Sequence, residues 1–156
     1  MKKITNIVAI VSIVLISFLV LGYIIISDAS AIDSIIINVE NVTIQDLKLK
    51  SCELKLDIKI TNPTPNQISD LTANFDIFIS NTDVGDGKLS KISIVPISSE
   101  ISEVYLTIFY ANVGQAVING LQTGDFQLRI SGEAKINIFF NFLSATKPFS
   151  ASYSYK

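Results

Sequence analysis

Few side chains in this sequence could do acid–base or covalent chemistry. The chain contains no histidine, which removes the commonest general base and the commonest metal ligand in proteins. Cys52 is the one cysteine, so no disulfide can form within the chain. It lies in phase with Leu54 and Leu56, which predicts a buried thiol, because a reactive thiol needs an accessible, electropositive setting. We therefore predict no catalytic residue and a protein that is not an enzyme.

The segment NTDVGDG, residues 81–87, is the best candidate for a metal site. An EF-hand calcium loop needs oxygen ligands at positions 1, 3 and 5, Gly at position 6 and Glu at position 12. Asn81 and Asp83 fit, but Gly85 and Asp86 invert positions 5 and 6, and Ile92 occupies position 12. Turn chemistry explains the segment better, so we predict a hairpin loop that contains Gly85 and Gly87. No metal ion and no cofactor is predicted.

One modification signal stands out. Asn41-Val42-Thr43 is an N-glycosylation sequon, which predicts Asn41 as the acceptor and leaves its occupancy open. Asn62-Pro63-Thr64 has the same outline, but proline at the middle position disqualifies it.

Alternating apolar and polar residues dominate the chain after residue 33. In ELKLDIKI, residues 53–60, every second side chain is apolar, which is typical of an antiparallel strand with one solvated face. The same period indicates further strands at 41–50, 70–80, 90–97, 103–110, 125–142 and 148–155. About seven short strands separated by turns predict a mostly β fold, an antiparallel β-sandwich of the immunoglobulin or fibronectin type III kind.

One short helix is predicted between the strands, at 112–125. Asn112 is expected to cap its start, and Gly124 is expected to end it. Its apolar face is Val113, Ala116, Val117 and Leu121.

The segment KITNPTPNQISDL, residues 59–71, joins two of the predicted strands. Pro63 and Pro65 cannot donate backbone hydrogen bonds and push the preceding residue toward extended geometry. Asn62 and Asn66 have side chains that can satisfy nearby backbone groups. We interpret the segment as a strand terminator and not as a ligand site.

Residues 7–26, IVAIVSIVLISFLVLGYIII, carry no charge. A helix of this length spans roughly 30 Å, the thickness of the hydrocarbon core of a bilayer. Lys2 and Lys3 precede the run, and the positive-inside rule then places the N-terminus in the cytoplasm. A cleaved signal peptide, with ASA at 29–31 as the cleavage site, is the alternative. The predicted division is a cytoplasmic terminus (1–6), a single transmembrane anchor (7–26), a juxtamembrane linker or first strand (27–40) and an extracytoplasmic β domain (41–156).

The charge of the outer region limits its partners. All 14 acidic residues and 10 of the 12 basic residues follow Ile26, which leaves a net charge of about −4 there. Nucleic acid is not a predicted partner, because no basic patch could neutralise its phosphates. The predicted partners are the membrane itself, and a lipid or another envelope protein.

The segment 59–71 with Asn62 and Pro63, the DVGDG hairpin with Gly85 and Gly87, and LRISGEAKI with Gly132 together resemble a known family. It is the group-two late embryogenesis abundant family, also called the WHy domain (water stress and hypersensitive response), in its membrane-anchored microbial form. The resemblance covers roughly residues 42–155, and it departs from the usual motif at Thr64, where relatives commonly have Asn. It implies a compact β-sandwich with one helix, a link to desiccation and other stress, and no catalytic residues.

The sequence therefore predicts a non-enzymatic, membrane-anchored protein that is protective or structural at the cell envelope. One alternative is a pilin-like filament subunit, in which residues 7–26 pack in a filament core and residues 33–40 pair with the sheet of a neighbouring subunit. A second alternative is a module that binds lipid or another apolar ligand. The aromatic residues in 137–142 and 152–155 suggest the second alternative.

Overall fold

The structure is a computed structural model, and it describes residues 11–23, 32–138 and 143–156. Residues 11–23 form a helix, α1. Among the residues described, no helix is long and apolar enough to cross a membrane. The predicted span 7–26 extends beyond α1 at both ends, into residues outside the described part of the chain. The cytoplasmic terminus and the cleavage site at 29–31 also lie outside it, so these assignments stay predictions.

Seven strands make up most of the remainder. They are β1 (Ile36–Leu47), β2 (Ser51–Asn62), β3 (Ile68–Ile79), β4 (Thr82–Ile94), β5 (Ser98–Phe109), β6 (Phe126–Ile138) and β7 (Leu143–Tyr155). A 3-10 turn (Tyr110–Asn112) and one helix, α2 (Gln115–Thr123), connect β5 to β6. The prediction of a mostly β chain with a short helix before the penultimate strand is confirmed.

The strands form two antiparallel sheets in a sandwich-like arrangement. One sheet has three strands in the order β1-β2-β5, and the other has four in the order β4-β3-β6-β7. β1 lies against β7 and β4 lies against β5, so the two sheets meet along both edges. The alternating apolar residues of both sheets share one core, as expected when period-2 patterns face each other across a sandwich.

The structure corrects two local predictions, the hairpin loop and the N-cap of α2. The hairpin turn is only Ser80-Asn81, both with positive φ (49° and 67°), so Gly85 and Gly87 lie inside β4 and not in a loop. Asn112 does not cap α2, because it belongs to the 3-10 turn, and Gly114 is the N-cap.

The predicted end and apolar face of α2 can also be compared with the structure. Gly124 does end α2, with φ of 66°. On the predicted apolar face Val117 and Leu121 are buried, but Ala116 is exposed.

β1 also bears on the predicted boundaries. It continues through residues 40 and 41, where the sequence-based division began the outer domain. It pairs along its length with β2 of the same chain, so the strand that the filament alternative assigned to a neighbouring subunit has a partner within the molecule. Two register shifts, between Val39 and Asn41 and between Ile44 and Asp46, change the phase of its side chains.

The two ends of the sheets differ in what they carry. At one end, here called the proximal end, the chain enters β1 at Ile36, residues 63–67 join β2 to β3, and residues 95–97 join β4 to β5. At the distal end, residues 48–50 join β1 to β2, the Ser80-Asn81 turn joins β3 to β4, and α2 approaches β6.

The segment before β1 is built into the domain. Ile32 and Ile35 are 1% and 2% exposed and belong to the shared core. The Lys147 ammonium of β7 donates to the backbone carbonyls of Asp33 (2.5 Å) and Ile35 (2.8 Å). The domain is therefore fixed to its N-terminal side from Ile32 onward.

Candidate functional site

Asn62 organises the proximal end. It is the last residue of β2, and its side chain is fully buried. Its amide nitrogen donates to the carbonyl oxygens of Asn66 (2.8 Å), Val95 (3.2 Å) and Ile94 (3.4 Å). Its side-chain oxygen accepts from the backbone N–H of Thr64 (3.0 Å) and from the Thr64 hydroxyl (2.7 Å). The expected role as a satisfier of backbone groups is confirmed, and the structure extends it to the neighbouring β4–β5 connection.

The β4–β5 connection is held in an unusual conformation. Pro96 and Ile97 form its centre, and Ile97 has φ of +51°. This is the left-handed region, which a β-branched side chain rarely occupies. The Ile97 N–H donates to the Thr64 carbonyl (3.1 Å), and the Ser98 hydroxyl donates to the Val95 carbonyl (2.8 Å). Together with Asn62, these bonds lock the turn onto the β2–β3 loop.

This locked turn displays apolar side chains to solvent. Ile97 is 76% exposed and Val95 is 53% exposed, and Pro63, Pro65 and Pro96 are exposed beside them. We call these five residues the proximal tip. Two further exposed isoleucines, Ile36 and Ile101, lie on the three-stranded sheet near the same end.

A network of charges covers the outer face of the three-stranded sheet. The Lys55 ammonium lies 2.9 Å from a Glu103 carboxylate oxygen and 3.1 Å from an Asp57 carboxylate oxygen. The Tyr105 hydroxyl donates to Glu103 (2.8 Å), and the Asn41 amide donates to Asp57 (3.3 Å). These five side chains, the outer-face network, sit on three adjacent strands in facing register.

The electrostatics of the network favour its charged state. The hydrogen bond from Lys55 holds the pKa of Glu103 below its ordinary value, and a smaller contribution comes from Tyr105. The hydrogen bond with Glu103 in turn raises the pKa of Lys55, followed by that with Asp57. The Tyr105 pKa is raised chiefly by its hydrogen bond to Glu103. A carboxylate held by a cation in this way, as Glu103 is, is a poor proton acceptor at neutral pH.

Asn41, the predicted glycosylation residue, lies at the edge of this network. Its side chain is exposed, and its amide nitrogen also lies 3.2 Å from the Thr43 hydroxyl of the sequon. A glycan on that nitrogen would leave it a single N–H for the two acceptors, Thr43 and Asp57. Glycosylation of Asn41 stays a prediction.

Cys52 is fully buried in the core. Burial raises the pKa of its thiol to about 11, and the nearby charges of Asp46 and Glu53 add to this effect. The thiol is therefore protonated at neutral pH, as the sequence predicted, and it points into packed apolar side chains.

The three motif glycines make room for neighbouring side chains. Gly87 and Gly132 face Phe75 from the strands on either side of β3. A Cβ at Gly87 would lie 2.3 Å from the Phe75 ring, and one at Gly132 would lie 2.1 Å from the Asn74 carbonyl oxygen. Gly85, with φ of 145°, would place a Cβ 2.9 Å from Leu106 of the other sheet.

Gly87, Phe75 and Gly132, here called the glycine row, also line a shallow depression of about 310 Å³ on the surface of the four-stranded sheet. Its polar rim includes Asn74, Asp76, Asp86 and Glu133. Asp76 and Asp86 face each other directly across β3 and β4. Among the residues described, no group of three or more acidic or cysteine side chains is placed to hold a metal ion.

The sequence-predicted residues thus do not converge on one site. Asn62 and Pro63 lie at the proximal end, Gly85, Gly87 and Gly132 lie along the four-stranded sheet, and Asn41 lies on the opposite sheet. Ile97 was not singled out from the sequence. Pro96 marks a turn, but nothing in the sequence indicates that an isoleucine follows it with positive φ.

The aromatic residues behind the apolar-ligand alternative are only partly described. Residues 139–142 lie outside the described part of the chain. Tyr155 stacks on Phe126 with ring centroids 4.9 Å apart, and Tyr153 packs against the core.

Comparisons with known proteins support the fold. No protein-family profile matches the sequence, and no curated protein matches it. The solution structure of AT1g01470 from Arabidopsis thaliana is similar, with 18% identity, a TM-score of 0.59, and coverage of 76% of this chain and 78% of that one. A protein classed provisionally as late embryogenesis abundant, At2g46140.1, is 11% identical with a TM-score of 0.46, over 98% of this chain and 86% of that one. A protein from Archaeoglobus fulgidus is 14% identical with a TM-score of 0.44, over 79% and 96% of the two chains. The similarity to AT1g01470 supports a shared mostly β fold, and at 18% identity it transfers nothing about activity.

Proposed function

We propose that this chain is a non-enzymatic protein of the WHy type, in which an extracytoplasmic immunoglobulin-like β-sandwich is carried on a single N-terminal membrane anchor. Its role is protective or structural at the cell envelope under drying or osmotic stress. Its partners are the membrane and, beyond it, lipid or another envelope protein. The sequence resemblance supplies the stress role, and the similarity to AT1g01470 supports the fold that the resemblance implies.

One observation carries the anchored arrangement. The residues that follow the apolar run are part of the folded domain, since Ile32 and Ile35 are buried in the core and Lys147 binds the carbonyls of Asp33 and Ile35. A flexible tether would leave the orientation of the domain free. Because the chain is fixed in the core from Ile32 onward, few residues remain between the domain and the predicted anchor, and the anchor limits where the domain can lie.

The locked charges of the outer-face network suit a structural role. Lys55 pairs with both Asp57 and Glu103, and Tyr105 donates to Glu103, so these side chains hold adjacent strands of the sheet together. The glycine row around Phe75 likewise serves close packing, which supports a stable scaffold.

Topology is tested with the full chain in cell membranes. In a Cys52→Ala background, Leu49→Cys introduces a thiol at a distal-end position that is 99% exposed. We expect the protein to stay in the pellet after alkaline carbonate extraction. We also expect a membrane-impermeant maleimide to label the thiol at position 49 in intact cells. Release by carbonate, or labelling only after lysis, would overturn the anchored extracytoplasmic arrangement.

The protective role is tested by survival after drying. Cells that lack the protein should lose viability on drying and rehydration, and the wild-type chain should restore it. A chain with Lys2 and Lys3 intact but lacking residues 32–156 is the control, since it retains the apolar run alone. Full rescue by this control would refute a protective role for the β domain.

A further inference from the structure

We propose that the proximal tip is a membrane-contact element that inserts Ile97 and Val95 into the lipid interface beside the anchor. The proposal rests on the anchored arrangement of the proposed function. The occupant of this apolar surface is then the bilayer from which the domain emerges.

The segment between the uncharged run and the folded domain is short. Ile32 is buried in the domain core at the proximal end, and the uncharged run ends at Ile26. Only residues 27–31 separate them, and the six Cα–Cα steps from Ile26 to Ile32 reach at most about 22 Å when fully extended. The proximal end is therefore held close to the headgroup layer, which adds only about 5–8 Å on each side of the hydrocarbon core. The tip lies on this end of the domain, whereas Leu49 lies on the other.

Surface chemistry carries the second step. Ile97 and Val95 are 76% and 53% exposed, and three exposed prolines lie in the same two connections. Ile36 and Ile101 extend the apolar surface along the three-stranded sheet. A cluster of aliphatic side chains in water gains free energy on entering an apolar phase, at about 25 cal/mol per Å² of apolar surface. Exposed apolar clusters of this kind mark interaction sites, including membrane sites.

Backbone strain carries the third step. The N–H of Ile97, which has φ of +51°, donates to the Thr64 carbonyl, and the Asn62 amide donates to the carbonyl of Val95, two residues before it. Glycine or asparagine would fit this turn position without strain. The fold thus keeps a large aliphatic side chain outward at a position that local backbone preference disfavours, and such strain is concentrated at functional positions. The rigid turn also orders Ile97 in advance, so contact with lipid requires little further loss of entropy.

Three single-cysteine proteins test the proposal, all full-length in a Cys52→Ala background. They carry Ile97→Cys at the tip, Leu49→Cys at the distal end, and Ser17→Cys in α1. Leu49 is apolar and 99% exposed, so it reports any general stickiness of the domain. Each protein is labelled with an environment-sensitive fluorophore and reconstituted into phosphatidylcholine vesicles. Three kinds of vesicle are prepared: without a quencher, with lipids brominated in the acyl chain near the headgroup to report on positions 97 and 49, and with lipids brominated near the chain end to report on position 17, which lies at the middle of the predicted span.

The expected result is quenching of the label at position 97 and at position 17, with a blue-shifted emission at both, and no quenching at position 49. If position 17 is not quenched, the anchor itself fails and the proposal falls with it. If position 17 is quenched but position 97 is not, the anchor stands and the tip contact is wrong. Equal quenching at positions 97 and 49 would indicate non-specific adsorption and would also overturn the proposal.

The strain argument has its own measurement. Ile97→Asn introduces a residue that tolerates positive φ and removes the aliphatic side chain. The domain should therefore remain folded, as measured by circular dichroism. In this variant a label at Val95→Cys should lose at least half of the quenching that it shows when Ile97 is present. Unchanged quenching would show that Ile97 is not the inserting residue.

Discussion

Replacing Asn62 with alanine should destabilise the domain more than any other substitution of a polar side chain at the proximal end. The side chain makes three short hydrogen bonds, to the Asn66 carbonyl and from the Thr64 N–H and hydroxyl (2.7–3.0 Å), and two longer ones to Val95 and Ile94. A buried hydrogen bond contributes about 1 kcal/mol net, so the three short bonds alone amount to about 3 kcal/mol. This is a large part of the 5–15 kcal/mol that stabilises a typical domain.

The assay is thermal and urea unfolding of the full chain in detergent, monitored by far-UV circular dichroism. A loss of about 3 kcal/mol corresponds to a fall in Tm of roughly 10 °C for a domain of this size. The urea midpoint should fall while the m-value stays unchanged, because the unfolded surface is the same. The matched control is Asn38→Ala, which removes the same amide from an exposed position on β1 and should change stability by less than about 0.5 kcal/mol.

Asn62→Asp separates hydrogen bonding from packing. It keeps the shape and the acceptor for Thr64, but it turns an oxygen toward three carbonyls and buries a carboxylate. Such a carboxylate has a folded-state pKa above its unfolded value of about 3.9, so the variant should lose stability as the pH rises from 4 to 7. The reasoning is refuted if Asn62→Ala loses less than about 1 kcal/mol, or if Asn62→Asp matches the wild type at pH 7.

Four further predictions address other parts of the molecule. Gly132→Ala would bring a Cβ to 2.1 Å from a backbone carbonyl and should cost about 2–3 kcal/mol. Gly114→Ala has open space around its Cβ and should cost less, no more than about 1 kcal/mol for alanine at the N-cap of α2; equal urea midpoints for the two variants would contradict the packing argument. Ile97→Asn should raise the free energy of unfolding by about 1 kcal/mol in detergent, since it removes left-handed strain, and a lowered Tm would count against strain at this turn. The pKa of Glu103 is lowered in the folded state from its ordinary value of 4.5. The contribution of Glu103 to stability is therefore present above pH 4.5 and is lost as the pH falls through the folded-state pKa. Glu103→Gln should flatten the acid side of a plot of stability against pH, and an unchanged acid side would exclude a stabilising role for the Glu103 carboxylate. Finally, Cys52, whose pKa is raised to about 11 by burial, should react with Ellman's reagent at pH 8 only on unfolding, and fast reaction of the native protein would disprove its burial.

The sequence predicts the strands well because their signal is local. In β2, the alternation of residues 53–60 is the alternation of burial in the structure, since successive side chains of a strand point to opposite faces. Gly124 was also predictable, because a helix end needs a positive φ that glycine supplies at little cost. Each of these features depends on the residue and its nearest neighbours.

Features that depend on distant residues were missed or misplaced. Gly85 and Gly87 resemble a turn in the sequence, but Gly87 is required by Phe75, twelve residues away on β3, and Gly85 by Leu106 on the other sheet. The contacts of Asn62 with Ile94 and Val95 join residues more than thirty positions apart. Glycine or asparagine therefore marks a backbone requirement in a sequence, but the partner that creates the requirement appears only when the sheets are assembled.

Ile97 shows the same separation between local preference and tertiary demand, and it bears on what this end of the molecule is for. For an isolated domain in water, its exposed side chain and its positive φ are both unfavourable, and asparagine would remove both at once. Close to a bilayer, the first of these becomes favourable, because the side chain leaves water. The second then has a physical reason, since the left-handed turn is the conformation that the hydrogen bonds of Thr64 and Asn62 impose on the β4–β5 connection. The buried hydrogen bonds of Asn62 and the outward position of Ile97 are thus two parts of one arrangement. If they are connected, Asn62→Ala should lose the contact of the proximal tip with lipid while the N-terminal anchor stays in the membrane.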